Sequence, residues 1–281
     1  MTAIPPDDSP TPPTTKRNSS LSLRRAIAVL DALARIVERC GRGGSLQDLT
    51  EETGLARSTL HRLLAPLTEA GLVERSDDKT YGIGPFAAYL GGLYLEQLDL
   101  REIVRPHLQK LNELTGETAN LLLRTGTEVI YIDKIESRAV LRMHSRVGGR
   151  MPIYCTSAGK ALLAHLPEDV LEEVVNAGLP RRTPTTIVDA HELRRELDKI
   201  RECGYAVDDV ENEPGIRCVG AAIFDRNGRP TAAISIAGPD NRVTRDVLLE
   251  LGTIVSGEAA LISQRLSASP SLLEWTSQIK R

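Results

Sequence analysis

Residues 56–68 combine a leucine repeat with a run of hydrogen-bond donors and contain no acidic residue. The leucines recur three to four positions apart, which predicts that they share the buried face of one helix: Leu60, Leu63, Leu64 and Leu67. The opposite face would carry only donors and small polar groups: Arg57, Ser58, Thr59, His61 and Arg62. Arginine can bridge a guanine, and serine or threonine can contact phosphates. This face therefore suits contact with duplex DNA.

The same face could also be the ordinary solvent side of a helix, and the flanking elements argue against that alternative. Ser45 and Asp48 have the spacing of a capping box, which predicts a short helix that ends at Gly54. Two strand-like runs over 72–84 flank an Asp-Asp-Lys turn, in which Lys79 could reach a neighbouring phosphate. The order helix, helix, turn, helix, hairpin predicts a winged helix-turn-helix, whose third helix would enter the major groove.

Residues 21–39 form a first amphipathic helix in the same prediction. Its apolar positions follow a helical period: Leu23, Ile27, Leu30, Leu33 and Val37. Pro66 is expected to kink the third helix or end it early, because proline removes a backbone donor. Residues 15–85 hold 11 Lys and Arg and 9 Asp and Glu, a difference of +2 in a chain of net charge −3. This weak basic bias permits DNA binding without demanding it.

The C-terminal part offers two candidate sites. In the run 146–167, glycines and a proline make a loop, and Thr156, Ser157, Ala158 and Gly159 then enter a helix. Exposed N–H groups and the helix dipole would favour an anion such as a carboxylate there. A plain capped helix that packs closely on a sheet explains the same residues equally well, and both alternatives stay open at this point.

The second candidate is the acidic segment 208–218, which ends in an Arg-Cys pair. Nearby carboxylates would raise the pKa of the Cys218 thiol, so an inert pocket-lining cysteine is favoured over a nucleophile. Asp208 and Glu211 lack a histidine at ligand spacing, which makes a metal site a weak hypothesis. We therefore predict no cofactor, no metal site and no catalytic residue.

Secondary-structure patterns beyond residue 98 alternate between helices and short strands. Helices are predicted at 100–114, 156–166, 168–178, 190–203 and up to about Leu266, and strands at 118–124, 127–134, 139–145, 204–210, 216–225 and 230–237. Tight turns join several strands, so we predict an α+β domain with an antiparallel sheet flanked by helices. The apolar segment 85–98 is predicted to be a linker helix that packs against another surface, most simply that of a second copy of this chain.

The cysteines and the start of the chain indicate the cellular compartment in which the protein works. The four cysteines lie far apart and form no C-x-x-C pair, which favours a reduced cytosol over a disulfide framework. Apolar runs are too short for a membrane span, and the proline-rich start lacks the apolar core of a signal peptide. The predicted organisation is a disordered tail (1–19), a DNA-binding domain (20–84), a linker helix (85–98), an effector domain (99–268) and a frayed end (269–281).

Several runs together resemble the IclR family of bacterial transcriptional regulators over roughly residues 20–268. They are GLARSTLHRLLAPLTEAGLVER, YGIGP, GGRMPIYCTSAGKALLA, GYAVDDVENEPGIRCVGAAIFD and AAISIAGP. The resemblance implies a winged-helix domain, a dimerising linker helix and a GAF-like effector domain. It also implies a cytoplasmic homodimer or dimer of dimers that binds an inverted-repeat operator in double-stranded DNA and responds to a small organic acid or aromatic catabolite.

The resemblance to the family also implies which residues of this chain are functional. The recognition helix falls on the donor face of residues 57–62 with the wing at Lys79. The effector pocket falls on Met143, Ser157, Ala158, Asp208, Cys218, Ser235 and Ala237. Family members often have a second serine where Ala237 stands, so a bulkier or less polar ligand is favoured here.

Two other classes of protein compete with the regulator hypothesis. One is an enzyme that acts on a small acid through Cys218 or Asp208. The other is an architectural DNA-binding protein without a ligand, which no metabolite would stabilise against heat. The sequence favours the regulator, which has no catalytic activity.

Overall fold

The computed structural model describes residues 15–96, 99–139 and 145–268, without the side chains of residues 15–20, 95, 96, 99 and 268. The chain divides into two compact units, Met1–Tyr94 and Leu95–Arg281. No helix in the described ranges is both long enough and apolar enough to cross a membrane.

The N-terminal unit has the predicted order of elements. Helices α1 (Thr15–Cys40), α2 (Leu46–Thr53) and α3 (Arg57–Glu69) precede strands β1 (Val73–Arg75) and β2 (Tyr81–Ile83), and helix α4 (Pro85–Glu96) follows. The two strands pair antiparallel, with Val73 opposite Ile83. Gly44 bridges to Tyr81 beside them through two backbone hydrogen bonds of 2.8 and 2.9 Å. This arrangement confirms the winged helix-turn-helix.

Local side-chain chemistry sets the start and end of α2. The Ser45 hydroxyl accepts a hydrogen bond from the Asp48 N–H at 3.3 Å, and the Asp48 carboxylate accepts one from the Ser45 N–H at 2.7 Å. The Ser45 N–H and the Ser45 hydroxyl both donate to the Asp48 carboxylate and lower its pKa. Gly54 ends the helix at φ 67°, in the left-handed region that glycine tolerates best. The predicted capping box and turn are both confirmed.

The predicted apolar face of α1 is wrong in part. The helix begins at Thr15 rather than near Leu21. Its core contacts come from a neighbouring stripe, Val29, Ala32, Leu33 and Ile36, which are at most 2 % exposed. Leu23 and Ile27 are instead 63 % and 56 % exposed. Helix α1 carries two overlapping apolar stripes of the same period, and the period alone does not show which one meets α2 and α3.

Pro66 does not end α3 early. The helix continues to Glu69, and the N–H of Ala70 still donates to the Pro66 carbonyl at 3.0 Å. Pro66 lies on the exposed side of the helix, as does Arg62, whose carbonyl loses its partner to the proline. Water can hydrogen-bond that carbonyl, so the helix tolerates a proline in place of a residue with a backbone N–H.

The C-terminal unit is an α+β domain around one six-stranded antiparallel sheet. Its strands are β3 (Thr118–Thr125), β4 (Glu128–Ile135), β5 (Arg150–Pro152), β6 (Ala206–Asp209), β7 (Ile216–Phe224) and β8 (Pro230–Pro239). They lie in the order β5-β4-β3-β8-β7-β6. The helices are α5 (Asp99–Thr115), α6 (Ser157–Leu163), α7 (Glu168–Ala177), α8 (Ala190–Cys203) and α9 (Leu248–Ala268). This architecture confirms the predicted fold class.

The two faces of this sheet have separate apolar cores. On one face, residues such as Val219, Ile223 and Ile234 pack with apolar side chains of α5 and α9. On the other face, Cys218 and Ala237 belong to a core with α6, α7 and α8. The alternation of side chains along each strand explains the division. The candidate functional residues lie on the face that α6 covers.

The structure differs from the sequence prediction around residues 139–152. Most of the predicted strand 139–145 lies outside the described residues, and so does Met143. A short strand, β5, pairs with β4 where the sequence predicted only a loop, with Met151 opposite Val129. Strand β5 has only three residues, and a sequence pattern of that length cannot distinguish a strand from a turn.

Candidate functional site

The outer face of α3 is the candidate site of the N-terminal unit. Leu60, Leu63 and Leu64 are buried, at 0 %, 9 % and 2 % exposure. All five predicted donor residues lie at the surface of this unit, four of them exposed and Thr59 half-buried: Arg57, Ser58, Thr59, His61 and Arg62. The leucine repeat therefore orients the helix as predicted and leaves an exposed face with donors and no carboxylate.

Two further features leave the start of α3 electropositive. Ala56 occupies the N-cap position and gives no side-chain hydrogen bond to the first N–H groups, so the dipole of this 13-residue helix is not offset by a capping side chain. Ion pairs between described residues of the unit join Arg35 and Arg39 to acids of α1 and α2. None of these pairs involves Arg57 or Arg62, which remain available to an anionic partner.

The turn between β1 and β2 presents Lys79 to solvent. Lys79 adopts φ 65°, and its N–H donates to the Ser76 carbonyl at 3.0 Å. The Asp78 carboxylate accepts hydrogen bonds from Thr80, which lower its pKa. Because the Asp78 carboxylate is hydrogen-bonded to Thr80 within the turn, the ammonium of Lys79 is the charged group that can contact an anion there.

Four strands place small and polar side chains in one row of the C-terminal unit. Asp208 pairs with Cys218, Cys218 with Ala237, and Ala237 with Thr118, so these residues lie side by side across β6, β7, β8 and β3. Each of the four is at most 7 % exposed. The sheet register therefore brings three of the predicted effector residues into direct proximity.

The next row, on the same face, contains Gly220, Ser235 and Asn120. Gly220 allows the start of α6 to approach closely, because a Cβ atom there would lie 2.8 Å from the N atom of Ala158. Ser157 and Ala158 are each 2 % exposed. The structure thus gathers six of the seven predicted effector residues at one place, and the seventh, Met143, is outside the described residues.

Sequence reasoning missed polar residues that line the same face. Asn120 donates to the Ser235 hydroxyl at 3.5 Å and accepts from the Ser145 hydroxyl at 3.1 Å. Thr118 and Asn120 alternate in the otherwise apolar run of β3, and this period-two pattern of polar residues could have revealed them. Tyr131 on β4 is also buried in this core.

Burial dominates the titration of the groups in this cluster. Burial raises the pKa of Asp208 to about 7, although the positive charge of Lys160 opposes the rise. Burial also raises the pKa of the Cys218 thiol and of the Tyr131 hydroxyl. A thiol with a raised pKa is a poor nucleophile, which argues against a catalytic role for Cys218. Within the described ranges, no three potential ligands lie close enough together to hold a metal ion.

Comparisons with known proteins agree with this geometry. A family model described as the IclR helix-turn-helix domain matches residues 22–77, and one described as bacterial transcriptional regulator IclR C-terminal matches residues 92–264. The HTH-type transcriptional repressor AllR of Klebsiella pneumoniae is 38 % identical over 89 % of this chain and 91 % of its own length. The AllR repressor of Escherichia coli K12 is 36 % identical over 87 % of this chain and 90 % of its own. These relatives are transcriptional regulators and not enzymes, which confirms that expectation.

Solved structures give the same result. The Thermotoga maritima IclR structure is 36 % identical with a TM-score of 0.64, and covers 88 % of this chain and 99 % of its own. An IclR homolog from Microbacterium hydrocarbonoxydans, complexed with 4-hydroxybenzoate, is 27 % identical with a TM-score of 0.71. It covers 88 % of this chain and 100 % of its own. This chain therefore belongs to the IclR family of bacterial transcriptional regulators.

Proposed function

We propose that this chain is a sequence-specific transcriptional regulator whose operator binding is modulated by a small-molecule effector. The observation that carries the proposal is the acid-free donor face of α3, which the buried leucines turn outward. Its relatives in Klebsiella and Escherichia are named as repressors, which supports repression as the sign of regulation. Because its target would be the chromosome, we place it in the cytoplasm.

In this proposal α3 enters the major groove. Arg57 and Arg62 contact guanine edges or phosphates, and Ser58 and Thr59 contact phosphates or thymine methyl groups. His61 lies between the arginines on the exposed face and completes the set. The uncapped start of α3 suits a phosphate, and Lys79 at the wing adds a contact to the neighbouring backbone. We assign residues 20–84 to this DNA-binding domain.

We propose that two copies associate through apolar surface that the N-terminal unit leaves exposed. On α4 these side chains are between 37 % and 59 % exposed: Phe86, Tyr89, Leu90, Leu93 and Tyr94. Leu23 and Ile27 of α1 add a second exposed apolar stripe. A twofold dimer formed this way would read an inverted repeat, and two such dimers would form a tetramer. Residues 85–98 would act as the linker.

The effector would bind in the C-terminal domain, residues 99–268. The proposed pocket is lined by the start of α6 and by the rows of β6, β7 and β8: Ser157, Ala158, Asp208, Cys218, Ser235 and Ala237, with Met143 added from the family pattern. Four of these residues lie on one face of the sheet, and Ser157 and Ala158 begin the helix that covers it. A related structure holds 4-hydroxybenzoate. The methyl group of Ala237 and the neutral thiol of Cys218 favour a ligand with apolar surface.

The experiment that tests this function measures DNA binding with and without effector. Genomic fragments that the purified protein retains are sequenced, and the enriched inverted repeat is synthesised as a labelled duplex for fluorescence anisotropy. Candidate aromatic and aliphatic acids, with 4-hydroxybenzoate first, are then titrated into the complex. We expect one class of acid to shift the DNA affinity and to raise the melting temperature of the free protein. Binding without sequence preference, or no response to any acid, would contradict the proposal.

A further inference from the structure

A cluster of charged side chains is buried beside the proposed effector pocket. Lys160, on α6, has no exposed surface, and its ammonium contacts the carboxylate of Glu211 and lies 3.8 Å from that of Glu196. Glu211 is 4 % exposed, and its second carboxylate oxygen is buried with no hydrogen-bond partner among the described residues. The cost of desolvating two charges offsets much of the attraction between them, so stability alone is a weak explanation for this buried ion pair.

Glu211 joins three separate parts of the domain. Its side chain binds Lys160 of α6, and its carbonyl accepts hydrogen bonds from the Thr183 and Thr186 hydroxyls at 3.2 and 2.7 Å. Its N–H donates to the Asp208 carboxylate at 2.7 Å. The residue therefore fixes the segment after β6 to α6 and to the α7–α8 connection at once.

The same segment donates hydrogen bonds to Asp208 of β6, the only acidic side chain among the proposed pocket residues. One oxygen of Asp208 accepts from the N–H groups of both Glu211 and Asn212, at 2.7 and 3.2 Å. Asn212 is held in turn by Arg182, which donates to its carbonyl at 3.0 Å. The orientation of the Asp208 carboxylate beside Cys218 thus depends on where the segment lies.

We propose that Lys160 is a positioning residue of the effector pocket: through Glu211 it holds the segment 209–214 so that the Asp208 carboxylate faces the bound effector. This inference rests on the proposed effector function and adds a residue that does not itself touch the ligand. Lys160 lies one turn after Ser157, so one short helix connects the pocket to the buried cation. An effector with a hydroxyl donor would find in Asp208 a fixed acceptor.

The charges of Lys160 and Glu211 act on the Asp208 carboxyl and support this role. Lys160 of α6 lowers the pKa of the Asp208 carboxyl, and Glu211 raises it by a smaller amount. Burial raises the pKa of Cys218 on β7 and of Tyr131 on β4, and the negative charge of Asp208 adds to both rises, so both groups stay neutral. Removal of Lys160 and Glu211 together is therefore expected to raise the pKa of Asp208 and to favour its protonated form.

The test compares the neutral double variant K160M/E211Q with the wild type and with R226M as a matched control. Arg226 is an exposed arginine in the turn between β7 and β8, at the end of β7 away from Asp208, so its loss removes a positive charge outside the buried cluster. The double variant removes both charges of the Lys160–Glu211 pair, which avoids the cost of leaving either one buried without its partner. Three readouts are used: the affinity for 4-hydroxybenzoate, hydrogen exchange of the Glu211 and Asn212 amides, and the carboxyl titration of Asp208 by NMR.

We expect K160M/E211Q to bind the probe at least tenfold more weakly, to exchange both amides at least tenfold faster, and to titrate Asp208 at higher pH. R226M should match the wild type in all three. Wild-type exchange and titration in the double variant would overturn the positioning role. If the wild type itself ignores 4-hydroxybenzoate, that result counts against this effector, while the two measurements without ligand still decide the role of Lys160.

Discussion

Replacement of Asp208 by asparagine should change how the stability of the C-terminal domain depends on pH. Burial raises the pKa of Asp208 to about 7 from an ordinary 3.8. The folded domain therefore keeps a proton that the unfolded chain releases between these two values. The stabilisation from this proton is fully present below the unfolded pKa and is lost as the pH rises through the folded pKa. Asparagine has no such proton to lose.

The size of the effect follows from linkage. Each unit of pKa difference corresponds to about 1.4 kcal/mol, and the difference is about 3 units, so the wild type loses about 4 kcal/mol that the Asp208→Asn variant keeps. Asparagine also retains an acceptor oxygen for the Glu211 and Asn212 N–H groups, which bind Asp208 now. The substitution therefore removes the titration while it preserves the local hydrogen bonds.

Urea unfolding followed by far-UV circular dichroism, at a series of pH values between about 4 and 8, measures this difference. The free energy of unfolding of Asp208→Asn, relative to the wild type, should rise between about pH 4 and pH 7 and level off above the folded pKa of Asp208. A parallel pH dependence in the two proteins would show that Asp208 is already ionised at low pH in the folded state, and the account of a desolvated carboxyl would be refuted.

Three further changes test other parts of the structure. Lys79→Asn, which keeps a side chain that tolerates positive φ, should lower the salt dependence of DNA binding by about one phosphate contact with little loss of stability, as a salt titration of the affinity would show. Leu60→Ala should destabilise the N-terminal unit by about 2–5 kcal/mol in thermal unfolding, since this side chain is fully buried. Gly220→Ala should weaken the response to effector without loss of DNA binding in an anisotropy assay, because the added methyl group would press on Ala158.

Local rules predicted the N-terminal unit well where one residue type decides the conformation. The Ser45–Asp48 capping box and the Gly54 turn form as expected, because each satisfies backbone groups within four residues of itself. The choice between two apolar stripes on α1 depends on tertiary contacts. Ala32 is fully buried while the larger Ile27 is exposed, and no local rule predicts that the smaller apolar side chain is the more buried one.

The C-terminal domain shows the same contrast between local and long-range information. Its strands and helices could be predicted from periodicity, and the family resemblance indicated residues that the sheet register gathers beside α6. Lys160 could not be found in this way, because a lysine in the run SAGKALLA suggests an exposed position. Its burial depends on Glu211, 51 positions later in the chain, so only the fold brings the two charges together.

The central claim is that the exposed face of α3 reads DNA, and anisotropy with the selected operator duplex tests it most directly. Arg57→Ala should weaken specific binding by about 1–3 kcal/mol and relax the base preference at one position, and Arg62→Ala should weaken binding to the operator as well. Arg226→Ala removes an exposed arginine from the β7–β8 turn and should leave the affinity unchanged. Equal affinities and equal base preferences for all four proteins would contradict the account.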